Sequence, residues 1–153
     1  MLFVLFQLGQ DRYALDAAQV EEILPLIGVT AIALAPAGVA GAISYRGVPV
    51  PVLDLSSMTL GRPAARRMNT RIVLVRWPDR DGALRLLGLI AEKVNNTMRR
   101  NPDDFLDPGI GNPDAPYLGK VATDAQGLVR RVEIDKLISP EVHAVLFAQQ
   151  AAA

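Results

Sequence analysis

At 153 residues, half of them hydrophobic, the chain has enough apolar side chain for one domain, or for two small lobes that share a core. Lys plus Arg and Asp plus Glu both number 16, so overall charge gives no footing for nucleic acid, although 13 of the cations are arginine, the residue of forked contacts. The absence of cysteine excludes a disulfide frame, a thiolate nucleophile and cysteine-ligated zinc, and suits a reducing compartment.

The opening MLFVLFQLG lacks a basic n-region and its apolar run breaks at Gln7. Neither a signal peptide nor a membrane helix is expected, and the chain reads as cytoplasmic, without direct membrane insertion. Leu2, Val4, Phe6 and Leu8 fall on one face of a strand and Phe3 and Leu5 on the other, so both faces should be buried. Gly9-Gln10-Asp11 turns the chain and Arg12 to Leu15 returns as a second strand. Asp16, with Gln19 three residues on, predicts a capped helix that puts Val20, Ile23 and Leu24 on one face, Glu21 and Glu22 toward solvent, and stops at Pro25. Leu26 to Ala35 is an apolar connection of strand character, broken by Pro36 and Gly38.

The stretch VAGAISYRGVPVPVLDLS from Val39 to Ser56 constrains the rest most. Ala42 to Tyr45 and Val48 to Asp54 are β-leaning runs, and Arg46-Gly47 between them reads as a tight hairpin turn, because glycine tolerates positive φ. Pro49 and Pro51 have no N–H for a ladder, which places the second strand at a sheet edge or barrel rim. Asp54 can cap a short helix. Arg46 stands out as a long cation at the tip of a rigid hairpin. Residues 61–69, with Gly61, Pro63, Arg62, Arg66 and Arg67, form a polar linker.

Strands follow at Arg71 to Trp77 and Leu84 to Ala91, where Gly88 suggests a bulge or close backbone approach. Glu92 to Val94 reads as a helical turn and Asn96 to Arg100 as a short strand. Asn101 to Pro116 is the longest irregular loop. Tyr117 to Ala122 and Leu128 to Ile134 form a second hairpin, with a helical turn from Asp135. Ser139 and Pro140 open a closing helix with Val142, Val145 and Leu146 on one face. The succession of strands, short helix and hairpin occurs once on each side of the linker. The chain therefore reads as mainly β, a single domain over 1–153. Lobe one spans roughly 1–60, the linker 61–69, lobe two roughly 70–138 and a C-terminal helix 139–150, with closure needed to hide so many strand edges. Arg130 shares the parity of Leu128, Val132 and Ile134, which implies a bulge or a rim.

Catalytic constellations are missing from the sequence. His143, the single histidine, reads as a solvated helix residue with no partner motif around it. Gly109-Ile110-Gly111 is followed by Pro113 and Asp114 and is a loop, not a phosphate cradle. Asp103, Asp104 and Asp107 lack the spacing of a calcium loop, and Asp103 and Asp104 after Pro102 start a helical turn. Arg62, Arg66 and Arg67 admit either a solvated linker or a grip on phosphate, without interleaved aromatics to favour the second. Asn95-Asn96-Thr97 fits a glycosylation sequon that a chain without a secretory signal would not use. No enzyme, cofactor or metal is expected. What remains is a rigid β scaffold with features at its turns, the look of a protein-interaction module. A nucleic-acid-binding barrel and a small-ligand-binding barrel with its site in the cleft between lobes are the alternatives.

FQLGQDRYALDAAQVEEIL from Phe6, Ala35-Pro36, GAISYRG, VPVPVLDLS, TRIVLV from Thr70, LLGLIAEKV from Leu86, YLGKVA from Tyr117 and GLVRRVEIDKLI from Gly127 resemble, in order, the CheW-like family of chemotaxis coupling proteins. The resemblance implies two intertwined five-stranded SH3-like barrels with a hydrophobic core between them. It implies an adaptor at membrane-associated arrays, bridging the cytoplasmic tip of methyl-accepting chemoreceptors to the regulatory domain of a CheA-type histidine kinase and catalysing nothing. The family's usual Asn-x-Arg-Gly is Ser44-Tyr45-Arg46-Gly47 here, so the arginine and glycine match and the asparagine does not. Together with the start on the first strand and LGRPAARR from Leu60, this looks most like the WspB-type couplers of surface-sensing (Wsp) systems, whose output is a diguanylate cyclase. The resemblance carries Val20, Glu22, Gly41, Arg46 and Gly47 onto partner-facing surfaces. Beside it, Val20 can simply be core, Glu22 a solvated residue, and Gly41 and Gly47 backbone devices.

Overall fold

The computed structural model describes residues 1–79 and 81–147. Among them run β1 (Leu2–Leu8), β2 (Asp11–Asp16), β3 (Val20–Pro25), β4 (Val39–Tyr45), β5 (Val48–Asp54), α1 (Leu55–Leu60), β6 (Arg71–Pro78), β7 (Leu84–Arg99), β8 (Leu118–Asp124), β9 (Gly127–Val132) and α2 (Pro140–Leu146). Single 3-10 turns lie at Ala17–Gln19, Pro102–Asp104 and Ile134–Lys136.

The strands pair into two barrels of the small SH3-like kind that share β7. One runs β4-β5-β7-β6-β3 and the other β7-β1-β2-β9-β8. β7 can serve both because it is 16 residues long. Its first half pairs with β6 and, at Gly88 to Ile90, with β5; its second half, from Glu92 to Arg99, pairs with β1. Between the halves Lys93 adopts φ 52°, a left-handed residue that redirects the strand. The helical turn expected at Glu92 to Val94 is therefore a kink inside one strand. A Cβ on Gly88 would meet the methyls of Ile72 and Val52 at 3.1 Å, the close approach its position suggested.

Each barrel closes through one residue of an irregular segment. Thr30 exchanges two backbone hydrogen bonds of 2.9 Å with Ala42 of β4, and Leu106 exchanges bonds of 2.7 and 2.9 Å with Val121 of β8. The sequential lobes 1–60 and 70–138 are not how the strands pair. β1 and β2 join β8 and β9, whereas β3, β4 and β5 join β6, so each barrel draws on both sides of the 61–69 segment.

The period-2 alternation of strands sorts side chains into three cores. On β6, Ile72 and Leu74 enter the interior of the first barrel with Ile43, Val50 and Val52, while Val73, Val75 and Trp77 enter the core between the barrels. On β1, Val4, Phe6 and Leu8 join that shared core and Phe3 packs inside the second barrel with Phe105 and Val129. Double-sided burial of the first strand from Phe3 to Leu8 follows from its place between two cores, whereas Leu2 at its start is exposed.

The helix expected over Asp16 to Pro25 is a 3-10 turn followed by β3. Asp16 does cap, its Oδ1 accepting from Ala18 N at 2.9 Å. Beyond Gln19, β-branched Val20 and Ile23 extend instead, and pairing with β6 outweighs a helical spacing that three apolar residues can satisfy by chance. At the C-terminus Ser139 caps α2 and Pro140 opens it, but Val145 is 55% exposed and leaves the apolar stripe to Val142, Leu146 and the buried Phe147. The expected end of that helix, residues 148–150, lies outside the described residues. The irregularity expected at Arg130 is a bulge on the opposing strand, between Leu118 and Val121 of β8.

Candidate partner-binding site

The β4–β5 hairpin positions the first candidate. Its two-residue turn holds Arg46 at φ 51° and Gly47 at φ 80°, the pair of positive values that a type I′ turn demands. Asparagine or glycine ordinarily fills the first of these positions. An arginine there accepts a left-handed conformation that costs about 1–2 kcal/mol, and strain kept in an exposed turn points to function before stability. Over Val48 to Pro51 strand β5 pairs only with β4, as the prolines require; past them, Val52 to Asp54 also pair with β7.

Glu22 on β3 and Arg46 on the hairpin meet through Tyr45. The Tyr45 hydroxyl donates to Glu22 Oε2 at 2.5 Å, and the Arg46 Cζ lies 5.1 Å from the centroid of the Tyr45 ring. This hydrogen bond, with a smaller contribution from burial, holds the Tyr45 phenol above its ordinary pKa. The hairpin flanks a groove of about 400 Å³, with Val48 and Pro49 on one wall and Leu84 and Leu86 on the other. Val48 is 52% and Leu84 68% exposed, so an apolar floor sits beside a forked cation, the mixture of anchor and rim that protein interfaces use.

The other candidates separate. Gly47 is exposed, and a Cβ there would meet nothing within 4 Å. Val20 is half-buried against the shared core, on a strand and not a helix. Gly41 is buried, and a Cβ there would fall 2.1 Å from the Thr30 carbonyl oxygen. It belongs to the closing seam of the first barrel, where the lack of a side chain lets the Thr30 backbone approach.

The 61–69 segment is pinned at several points. Asp54 Oδ1 caps α1 by accepting from Ser56 N and Ser57 N, and its Oδ2 accepts from Ala64 N at 3.0 Å. Glu92 Oε1 accepts from Ser56 Oγ and Ala65 N, while Thr70 Oγ1 donates to the Ala65 carbonyl. Two buried carboxylates hold the loop while Arg62, Arg66 and Arg67 stay exposed. Asp54 was legible as a cap; Glu92 was not.

His143 is also not the solvated residue its sequence context suggests. Its Nε2 lies 3.0 Å from Asp79 Oδ1, and its ring packs against Trp77 and Phe147. Among the described residues no group of three His, Asp or Glu side chains is placed to hold a metal ion, and no helix is long and apolar enough to cross a membrane.

Comparison with known proteins places these features in a family. The model of the CheW-like domain matches residues 2–141. A chemotaxis protein CheW of Klebsiella aerogenes is 28% identical over 150 residues, 94% of this chain and 85% of that protein. A chemotaxis protein CheW of Treponema pallidum is 27% identical over 145 residues, 89% of this chain and 81% of that one. The crystal structure of the scaffolding protein TtCheW from Thermoanaerobacter tengcongensis aligns with a TM-score of 0.80 at 22% identity, covering 92% of this chain and 89% of that chain, a likeness of fold.

Proposed function

The chain belongs to the CheW-like domain family, and from that premise we propose that it couples the cytoplasmic tip of methyl-accepting chemoreceptors to the regulatory domain of a CheA-type histidine kinase. It is an adaptor and not an enzyme. Its work is to hold two partners in a fixed relation, which a scaffold with closed barrels and a shared core suits. The observation that carries this reading is Arg46, an exposed arginine kept in a left-handed turn position beside an apolar groove. Its place of action is the cytoplasmic side of membrane-associated receptor arrays.

Within the family, the Ser44-Tyr45-Arg46-Gly47 turn and the LGRPAARR segment support a WspB-type coupler, serving surface sensing with a diguanylate cyclase as output. The test is reconstitution of kinase autophosphorylation with receptor tips, with and without this protein. Receptor-dependent stimulation is expected only in its presence, and equal rates in both arms would reject coupling. In cells, deletion should change cyclic-di-GMP on surfaces; an effect confined to swimming reversals would reject the surface-sensing assignment while leaving coupling intact.

A further inference from the structure

The chain has no cysteine, so the side chains most open to mild oxidation are its four methionine thioethers. The fold treats them unequally. Met58 packs against the shared core, and a Cβ on Gly38 would stand 2.6 Å from its Cγ. Met98 packs against the core of the second barrel. Met1, 44% exposed, precedes β1, and its carbonyl accepts from Arg100 N at 2.9 Å. Met68 is 98% exposed.

This exposure belongs to an ordered turn. Thr70 N donates to the Arg67 carbonyl at 3.0 Å and closes a turn with Met68 and Asn69 in its middle, while Thr70 Oγ1 accepts from Arg67 N at 3.3 Å. The Asn69 carbonyl accepts from Val94 N of β7 at 2.9 Å. The backbone is thus braced on both sides of a side chain that stands in water. Its sequence surroundings are basic: no acidic residue lies between Asp54 and Asp79, and Arg66 and Arg67, directly before it, are exposed. Within residues 61–69 Met68 is the one large apolar side chain that reaches solvent.

We propose that Met68 is a reversible oxidation site, the thioether through which a hydroperoxide changes this surface without unfolding the protein. The step is an oxygen transfer that takes two electrons from sulfur. A sulfur lone pair attacks one oxygen of hydrogen peroxide, and the S–O bond forms as the O–O bond breaks. The other oxygen leaves as water, carrying the proton of the transferred oxygen, so sulfur is oxidised to the sulfoxide and peroxide is reduced. Because Met68 lies outside all three cores, the polar sulfoxide displaces no core packing. It turns the apolar point of a basic loop into a hydrogen-bond acceptor, exposed to the methionine sulfoxide reductases that reverse the change.

The test treats the intact protein with hydrogen peroxide and follows each methionine by peptide mass spectrometry. Met68 should oxidise within about twofold of the rate of free methionine, and Met58 and Met98 at least about tenfold more slowly. In denaturant every methionine should react alike, because the fold alone makes the difference. Met68→Leu should lose the first oxidation and leave the slower ones in place. Protein oxidised only at Met68 should keep the wild-type melting temperature, and the reductases for the two sulfoxide epimers should together restore the starting mass. Met68 lagging behind Met1 or either packed methionine overturns the assignment, as does a selectivity that survives denaturation. A lowered melting temperature of the Met68-oxidised protein, or a sulfoxide that the reductases leave untouched, overturns its reading as a reversible surface change.

Discussion

The imidazole of His143 reaches across 64 positions of sequence to the carboxylate of Asp79, at 3.0 Å, and this contact ties α2 to the turn after β6. Trp77 lies beneath, stacked on Phe147 with ring centroids 5.6 Å apart and planes 13° from parallel. Helix α2 is thus seated on the shared core by the His143–Asp79 contact, by the rings of His143 and Phe147 against Trp77, and by the apolar side chains of Val142 and Leu146.

Removing one of these supports should loosen α2 in proportion to what it buries. Phe147→Ala, at a residue 2% exposed, should cost about 3 kcal/mol. His143→Ala, which loses a partly exposed hydrogen bond, should cost about 1 kcal/mol. Trp77 is the single tryptophan of the chain, so denaturant titrations followed by its fluorescence report the site directly, with a red shift expected for Phe147→Ala. An unshifted spectrum with unchanged stability would show that α2 is not docked in solution.

How far the sequence could be read depends on how local the cause is. The β4–β5 hairpin was legible because Arg46-Gly47 sits between two β-leaning runs, and the α1 cap because Asp54 directly precedes its helix. β3 was mistaken for a helix because Val20, Ile23 and Leu24 fit either period, and the deciding partner, β6, lies some fifty residues on. The continuity of β7 was hidden by Glu92 and Lys93, whose kink makes sense only once β1 and β6 compete for opposite halves of the strand. At the site, Arg46 and Glu22 were found, but Tyr45, 23 residues from its acceptor, carried no local signal beyond an aromatic ring at a strand end. The Asp79–His143 contact had none.

Two glycines that look alike in sequence should behave differently. Gly41→Ala drives a methyl into the Thr30 carbonyl at the barrel seam and should cost at least about 2 kcal/mol, lowering the melting temperature by several degrees. Gly47→Ala meets open space and suffers only from φ 80°, costing about 1 kcal/mol. Equal melting temperatures for the two variants would contradict the seam.

Because β7 belongs to both barrels and the largest core lies between them, neither barrel retains its strands alone. Thermal unfolding should be one cooperative transition with equal calorimetric and van't Hoff enthalpies. Truncation before Arg71 removes β6 and β7 and should leave an unfolded or aggregated chain. Two separated transitions, or a folded fragment, would refute the shared core.

Stability should fall at both ends of the pH range. Arg12 donates to both carboxylate oxygens of Asp124, and this holds the Asp124 carboxyl below its ordinary value of 3.8. A depressed folded pKa contributes stability that is present above the ordinary value and lost as pH falls through the folded one. Asp124→Asn should therefore flatten the acid limb. Burial raises Tyr13 and Tyr117 above 10.0, with the Thr59 hydrogen bond opposing it at Tyr117. For a raised pKa the contribution is complete below the ordinary value and lost as pH rises through the folded one. Melting temperature should decline above about pH 10, while phenolate absorbance of the folded protein lags behind free tyrosine. A phenolate curve matching free tyrosine would contradict the burial.

Arg46 separates binding from folding. It is exposed, makes no ion pair among the described residues, and lies over the ring of Tyr45, a cation–π interaction of about 0.5–1 kcal/mol at such a site. Its left-handed backbone works in the opposite direction. Arg46→Gly relieves that conformation and should leave stability within about 0.5 kcal/mol of wild type or above it. Binding should move the other way. An anchoring arginine at an interface is worth upwards of about 2 kcal/mol when truncated, roughly thirtyfold in affinity. Arg46→Ala and Arg46→Gly should both lose that much for the partner that meets the hairpin. Arg46→Glu should lose more, because it adds repulsion against an acidic surface, and Arg46→Lys should recover only part, because a point charge replaces a fork. Melting temperature and affinity for the kinase regulatory domain and the receptor tip, measured across the four variants, test the order directly. If all four bind as wild type does, the hairpin is not an interface; if all four unfold, Arg46 is structural. A stability gain in Arg46→Gly joined to a loss of binding would mark the arginine as kept in its strained position for the sake of the partner.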